Sequence, residues 1–351
     1  MSDLGSQPPP GPGPDPFAQP AQPAGPARMS AVSRFFNVFF SPSAVFEDVR
    51  RDPRGWLVPI LASAAAVAVF TLLYFTRYDI VTVYTEYMRD NWGIKLAGMI
   101  GGPDAQAKAL EAAMQGIKAT PMWQFQASAI VNVLVGFVLI VWFFTFLYGL
   151  IAVLMGWLPP DIKASRLFIN LGIVAAIAVV FIAITAGLKI ASAVAAKGSG
   201  DAAAAGASPD WVAAVTIVVT FAALGFVVWS MMRLAKEPSF GRIMGAVSYG
   251  LAPTALFGLL GILILALRTP DATWIEDIVP ADLTHLLNLK NVSGVLASLG
   301  TSLGFFNIWS LVLTIIGLSK ALGRRTGEAA VAVLVPWGAW VLLKLVFAAI
   351  F

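Results

Sequence analysis

Seven long apolar segments, separated by short polar connections, dominate the pattern of this 351-residue chain. An α-helix rises 1.5 Å per residue, so about 20 apolar residues cross the hydrocarbon core of a bilayer, and every segment reaches that length. The expected fold class is therefore all-α, a polytopic transmembrane helix bundle. The pattern predicts seven spans, at residues 56–76, 124–155, 167–190, 211–232, 243–267, 295–318 and 329–350.

Residues 29–54, which precede the first span, are amphipathic and too short to cross a membrane. Ser41-Pro42 is typical of a helix start, and the helix that follows would carry its apolar and charged residues on opposite sides. Two interpretations stay open: helices lying among the lipid headgroups, or helices packed on the end of the bundle. The first interpretation makes interfacial anchors of four aromatic residues at helical spacing, namely Phe35, Phe36, Phe39 and Phe40.

Residues 1–28 form a tail that contains nine prolines among Gly, Gln and Ala. Such a composition offers too little apolar surface to offset the entropy of ordering, so we expect disorder with polyproline II character. The chain is thus divided into a disordered tail (1–28), interfacial amphipathic helices (29–54) and a transmembrane bundle (55–351).

Composition removes most function classes. The chain is 58% hydrophobic and 12% charged, about half the charge of a soluble protein. It has no cysteine and one histidine, and no Asp or Glu lies inside a predicted span. No nucleotide-binding, hydrolase or metalloprotease motif occurs. We therefore expect no enzyme and no catalytic, cofactor-binding or metal-binding residue, and, because the basic residues are divided among short loops, no nucleic-acid partner.

The distribution of Lys and Arg predicts the orientation. With the N-terminus in the cytoplasm, 13 basic residues fall on the inside and 8 on the outside, and every short inside loop is basic. This places the C-terminus outside.

Three residues stand out inside the predicted spans. Pro253 and Pro336 each remove a helical hydrogen bond and should kink their helices. Asn307 is placed near the middle of the sixth span, where its amide needs a partner. Hydrogen bonding between helices is the expected role of Asn307, and solute binding is the alternative.

Three stretches resemble the Yip family of integral membrane proteins. They are FFNVFFSPSAVFEDVRRDPRGWLVPIL (35–61), EPSFGRIMGAVSYGLAPTALFGLL (237–260) and FFNIWSLVLTIIGLSKALGRRTGEAAVAVLVPWGAW (305–340). The last contains the Ile-Trp pair that makes Trp309 a further candidate residue. Eukaryotic members interact with Ypt/Rab GTPases and have a cytosolic N-terminus and a lumenal C-terminus. The family usually has five spans, which implies an extra helix pair here.

The Ala/Gly/Val-rich spans and the proline-rich tail are typical of bacteria, which lack Rab-driven traffic, so the GTPase-binding role is not carried over. The resemblance implies a non-enzymatic membrane-organising or adaptor protein in the bacterial inner membrane. Its expected partners are the lipid bilayer and proteins recruited through the N-terminal region, and homo-oligomers stay open. The alternative is a transporter or channel for a small neutral or apolar solute.

Overall fold

The structure is a computed structural model that describes residues 28–79, 92–119, 121–158, 168–170, 172, 210–267, 278–283 and 294–350. Within these ranges the chain forms helices and no strand. All but the last residue of the predicted tail, and nearly all of the predicted span 167–190, lie outside the described residues.

Eleven helices are described. In chain order, α1 to α11 cover Ala31–Asn37, Pro42–Arg51, Leu57–Arg77, Trp92–Ala119, Met122–Leu154, Asp210–Ala235, Pro238–Gly250, Pro253–Leu267, Gly294–Ser302, Phe305–Leu322 and Thr326–Ile350.

Six segments of the described chain are long and apolar enough to cross a membrane. They are α3, α5, the last 18 residues of α6, α7 together with α8 (Pro238–Leu267), α10 and α11. The chain is therefore a multi-pass, all-α membrane protein. Six of the seven predicted spans have a counterpart among these segments, and nearly all of the third lies outside the described residues.

The sixth predicted span, 295–318, is wrong as a single helix. It is divided into α9 and α10 at Gly304, whose backbone is extended (φ −60°, ψ 145°). The N–H of Phe305 donates to the carbonyl oxygen of Ala281 at 2.7 Å, so the break satisfies a donor at the start of α10. The spanning part begins at Phe305.

The fifth predicted span is also interrupted, as its proline indicates. Helix α7 ends at Gly250 and α8 begins at Pro253. Proline has no N–H and its ring clashes with the preceding turn, so it is tolerated at the first position of a new helix. Pro336 acts differently, because α11 continues through it.

The main hydrophobic core lies at the end of the bundle that carries α1 and α2. Side chains of α2, α5, α7, α10 and α11 meet there, and the central ones are fully buried: Val45, Phe46, Phe240, Ile243, Met244 and Leu313. A smaller core at the other end contains Phe70, Tyr74, Leu265 and Ile278.

Candidate functional site

Helix α2 is packed into the bundle. Its apolar residues Val45, Phe46 and Val49 have no exposed surface. The contact depends on small residues beneath them: a methyl group on Gly317 would lie 2.9 Å from the Phe46 ring, and one on Gly245 would lie 2.7 Å from a Val49 methyl group. The apolar face of α2 therefore packs against the bundle.

A buried ion pair joins α1 to α2. Arg34 Nε donates to Asp48 Oδ2 at 2.9 Å, and each side chain is 2% exposed. The other carboxylate oxygen, Oδ1, accepts from the Arg28 backbone N–H at 2.7 Å, while Oδ2 also accepts from the Met29 N–H at 3.1 Å. Charges are rarely buried this deeply unless they are paired and hydrogen-bonded, as both are here.

The guanidinium of Arg34 also fixes the chain that leads into the first span. Its Nη1 donates to the carbonyl oxygens of Asp52 at 2.9 Å and Arg54 at 2.8 Å. Tyr249 of α7 is within hydrogen-bond distance of the carbonyl oxygens of Ala31 (3.2 Å) and Gly55 (3.3 Å). Residues 28–56, which we name the N-terminal layer, are thus tied to each other and to the bundle.

Gly55 permits the close approach within this layer. Its φ is +87°, a backbone conformation that residues with a side chain rarely adopt. A methyl group at this position would also lie 2.5 Å from Cβ of Ala31. The turn between α2 and α3 therefore needs glycine for two separate reasons.

The hydrogen bonds set the protonation of Asp48. Burial by itself raises the pKa of this carboxyl, but the N–H groups of Arg28 and Met29 and the Arg34 side chain outweigh burial, and the pKa lies below its usual value. A carboxyl whose pKa is lower in the folded than in the unfolded state stabilises the fold above the unfolded value. That contribution is lost as the pH falls through about 3.9 towards the folded pKa.

We therefore expect the N-terminal layer to stay docked from neutral pH down to about pH 4, near the usual Asp pKa, and to loosen below it. Hydrogen exchange of residues 42–51, followed by mass spectrometry and corrected for intrinsic rates, measures this directly. Residues 57–77 serve as the internal reference and should keep their protection over the same range. Loss of protection in α2 already near pH 6 would contradict the assignment to Asp48.

The four predicted anchor residues divide into two pairs. Phe35 and Phe39 pack against the core, with ring centroids 5.8 Å apart. Phe36 and Phe40 are 60% and 84% exposed. The Phe39 ring also meets the Trp309 ring edge-on at 5.6 Å. The segment thus has one face that packs on the core and one that is exposed.

The predicted in-membrane residues do not form one site. Asn307 is exposed in the first turn of α10, where its amide donates to the Thr301 carbonyl at 3.2 Å. Its predicted position in the middle of a span is therefore wrong, because the helix begins only two residues earlier. Pro253 starts α8 and Pro336 lies within α11. Only Trp309 joins the N-terminal layer.

The sequence pattern does not predict the ion pair, because it places Asp48 with the other charged residues on the side of α2 opposite the apolar one. On a helical wheel of 100° per residue, Asp48 lies 60° from Val45, at the edge of the apolar face of α2. A charged side chain at such an edge is buried when a partner of opposite charge is present, as Arg34 is for Asp48. The one signal in the sequence is an arginine directly before a segment that contains four phenylalanines.

A family model described as the Yip1 domain matches residues 158–348, more than half of the chain. Comparisons with curated proteins and with solved structures found no match. The matched residues include α6 to α10 and nearly all of α11, and therefore the surface on which the N-terminal layer packs. They also contain two of the three stretches that carry the resemblance. The chain belongs to the Yip family.

Proposed function

We propose that this protein is a non-enzymatic membrane-organising and adaptor protein of the bacterial inner membrane, with its N-terminal layer on the cytoplasmic side. The organising surface is the exposed aromatic edge of the layer, formed by Phe36 and Phe40. The adaptor element is the proline-rich tail, residues 1–28.

The observation that carries the proposal is the exposure of two phenylalanines on a segment that is otherwise fixed. Phe36 and Phe40 are flanked by Val32, which is also exposed. Apolar side chains exposed together on a rigid support mark contact with a membrane or a partner. The buried Arg34–Asp48 pair supplies that support, so binding requires little further ordering.

The position of the aromatic edge favours the membrane as its first partner. Phe39 contacts Trp309, which lies near the start of the spanning helix α10. Lys320, near the end of the same helix, follows about three helical turns later. Two exposed apolar residues of the same helix, Ile308 and Val312, lie within one turn of Trp309. Phe36 and Phe40 therefore extend an apolar surface that suits contact with the acyl chains beside α10.

The proposal predicts that the protein prefers loosely packed, strongly curved leaflets, where aromatic side chains insert most easily. The double substitution Phe36→Ser and Phe40→Ser should lower several-fold the ratio of protein density on small vesicles to that on large ones. The ratio is measured by fluorescence on reconstituted vesicles of mixed size. The matched control is Leu342→Ser with Val346→Ser, two exposed apolar residues of α11.

An equal loss of curvature preference in both double variants would reject the organising role, because it would reflect general lipid contact. The adaptor role is tested separately by a photoreactive phenylalanine at position 17 of the tail, at Phe40 or at Leu342. We expect a discrete protein adduct from position 17 and lipid adducts from the other two. Lipid adducts or no adduct at position 17 would reject recruitment through the tail.

The second candidate function, a transporter or channel for a small solute, is favoured by one polar contact inside the bundle. Asn170 accepts from the Trp142 indole N–H at 3.1 Å and donates to Ser230 Oγ at 2.6 Å. The same contact serves equally as helix-to-helix bonding. Asn307, for which solute binding was the alternative role, lies in the first turn of its helix. Solute flux that is lost on Asn170→Leu substitution would support the transporter.

A further inference from the structure

A basic cavity lies between the N-terminal layer and the turn that joins α10 to α11. Its volume is about 400 Å³, within the range of ligand-binding pockets. Helix α2 forms one wall, and the last residues of α10 with the first residue of α11 form the other. The charged side chains that line it are five basic residues and one acidic residue: Arg50, Arg51, Lys320, Arg324, Arg325 and Glu47.

The acidic residue does not neutralise this cavity. Glu47 Oε1 is 3.5 Å from Lys320 Nζ, and both side chains are about half exposed, so the pair is weak. Across the described chain, two guanidinium nitrogens of the cavity are buried without any hydrogen-bond partner, Arg51 Nε and Arg324 Nε. Buried donors are nearly always paired in proteins, so two orphaned donors beside one cavity indicate a missing acceptor.

The turn at the back of the cavity is firmly built. Gly323 is left-handed (φ 66°) and ends α10, and the Arg324 N–H donates to the Ser319 carbonyl at 2.8 Å. Ser319 Oγ donates to the Arg324 carbonyl at 2.8 Å, and Arg324 Nη2 donates to the Trp157 carbonyl at 3.2 Å. The Arg324 side chain is therefore held in place by a hydrogen bond to the bundle.

Helix-end stabilisation does not account for this arrangement. Arg50 and Arg51 occupy the last turn of α2, where basic residues interact favourably with the helix dipole. That effect needs only solvated side chains near the helix end. It does not require a second set of basic residues across a cavity, nor does it bury a guanidinium nitrogen without an acceptor.

We propose that this cavity, which we name the basic pocket, binds a phosphate-bearing anion. Arginine forks match the oxygens of phosphate in pairs, and several of them together favour a doubly charged group over a carboxylate. The pocket lies where α10 ends and α11 begins, which is also where lipid headgroups are found beside a spanning helix. The phosphate can therefore come from an anionic phospholipid or from a soluble phosphate compound. The inference is independent of the proposed function.

The test uses the full chain in phosphatidylcholine nanodiscs and has two arms. The soluble arm measures inorganic pyrophosphate binding by calorimetry. The lipid arm measures retention of phosphatidylglycerol, mixed into the nanodisc, by native mass spectrometry. Arg51→Gln with Arg325→Gln should weaken binding at least tenfold in whichever arm is positive. The control Arg54→Gln changes a 93% exposed arginine of the same layer and should change binding less than twofold.

A signal in the lipid arm alone identifies a headgroup as the ligand, and a signal in the soluble arm alone identifies a free phosphate compound. Absence of both signals overturns the proposal, as does an equal loss in the Arg54→Gln control, which would indicate surface charge in general. Should the double glutamine variant fail to fold, Arg51→Lys with Arg325→Lys replaces it. Lysine keeps the charge and loses the paired hydrogen bonds, so a several-fold weakening is expected, and unchanged binding contradicts an arginine-built site.

Discussion

Replacing Arg34 with alanine is expected to release the N-terminal layer from the bundle. The substitution leaves the Asp48 carboxylate buried without its cation, and breaking a buried pair in this way costs about 3–5 kcal/mol. It also removes the donors to the carbonyl oxygens of Asp52 and Arg54, which keep no other partner in the described contacts. Side-chain packing of α1 and α2 and the Tyr249 hydrogen bonds then have to hold the layer.

The natural absence of cysteine makes the release directly measurable. A single cysteine at Val45, which has no exposed surface, reacts with a maleimide only when α2 leaves the bundle. At the lower limit of about 3 kcal/mol, the Arg34→Ala substitution should speed labelling about 100-fold. Thermal unfolding in nanodiscs should show the same destabilisation of the N-terminal end.

The matched control is Arg54→Ala. This arginine lies in the same layer and has the same charge, but its side chain is 93% exposed and lies 4.0 Å from Asp52. Exposed pairs of this kind contribute between zero and about 1 kcal/mol, so labelling should change by less than about fivefold. Equal labelling of the Arg34→Ala variant and the native chain would show that the ion pair does not hold the layer.

Much of the bundle could be predicted from hydropathy because a spanning helix is a property of length and composition. The starts of α3, α5 and α11 lie within a few residues of the predicted ones. The break at Gly304 could not be predicted in the same way, since apolar residues on both sides give one continuous maximum. The position of Asn307 was wrong for that reason alone.

The buried ion pair of the N-terminal layer could not be predicted for a different reason. Whether Arg34 and Asp48 face water or each other depends on a contact between two residues that are 14 positions apart and lie on different helices. Periodicity within one helix does not contain this information. Gly241 and Gly245, four residues apart in α7, form a small-residue pair of the kind that permits close helix approach. It does so, but the approaching groups are Pro53 and Val49 of the N-terminal layer. Small-residue patterns indicate that something approaches closely and do not identify it.

The second large effect is expected from Gly258→Leu in α8. A methyl group on Gly258 would already lie 2.8 Å from the Ala66 carbonyl carbon and 2.9 Å from the Val67 nitrogen of α3. These are backbone atoms of a spanning helix, so they cannot turn aside as a side chain would. Overpacking costs about 1–3 kcal/mol where side chains can adjust, and here we expect at least the upper value, about 3 kcal/mol.

The measurement for Gly258→Leu is thermal unfolding together with the distance between spin labels on α3 and α8, which should lengthen as the helices separate. Gly338→Leu in α11 is the matched control, because a methyl group there meets no described atom within 4 Å and leucine favours helix. If both variants unfold alike, leucine in a spanning helix has no position-specific cost. If only Gly258→Leu is destabilised and the Val45 cysteine stays protected, the α3–α8 contact and the N-terminal layer are energetically separate parts of the bundle.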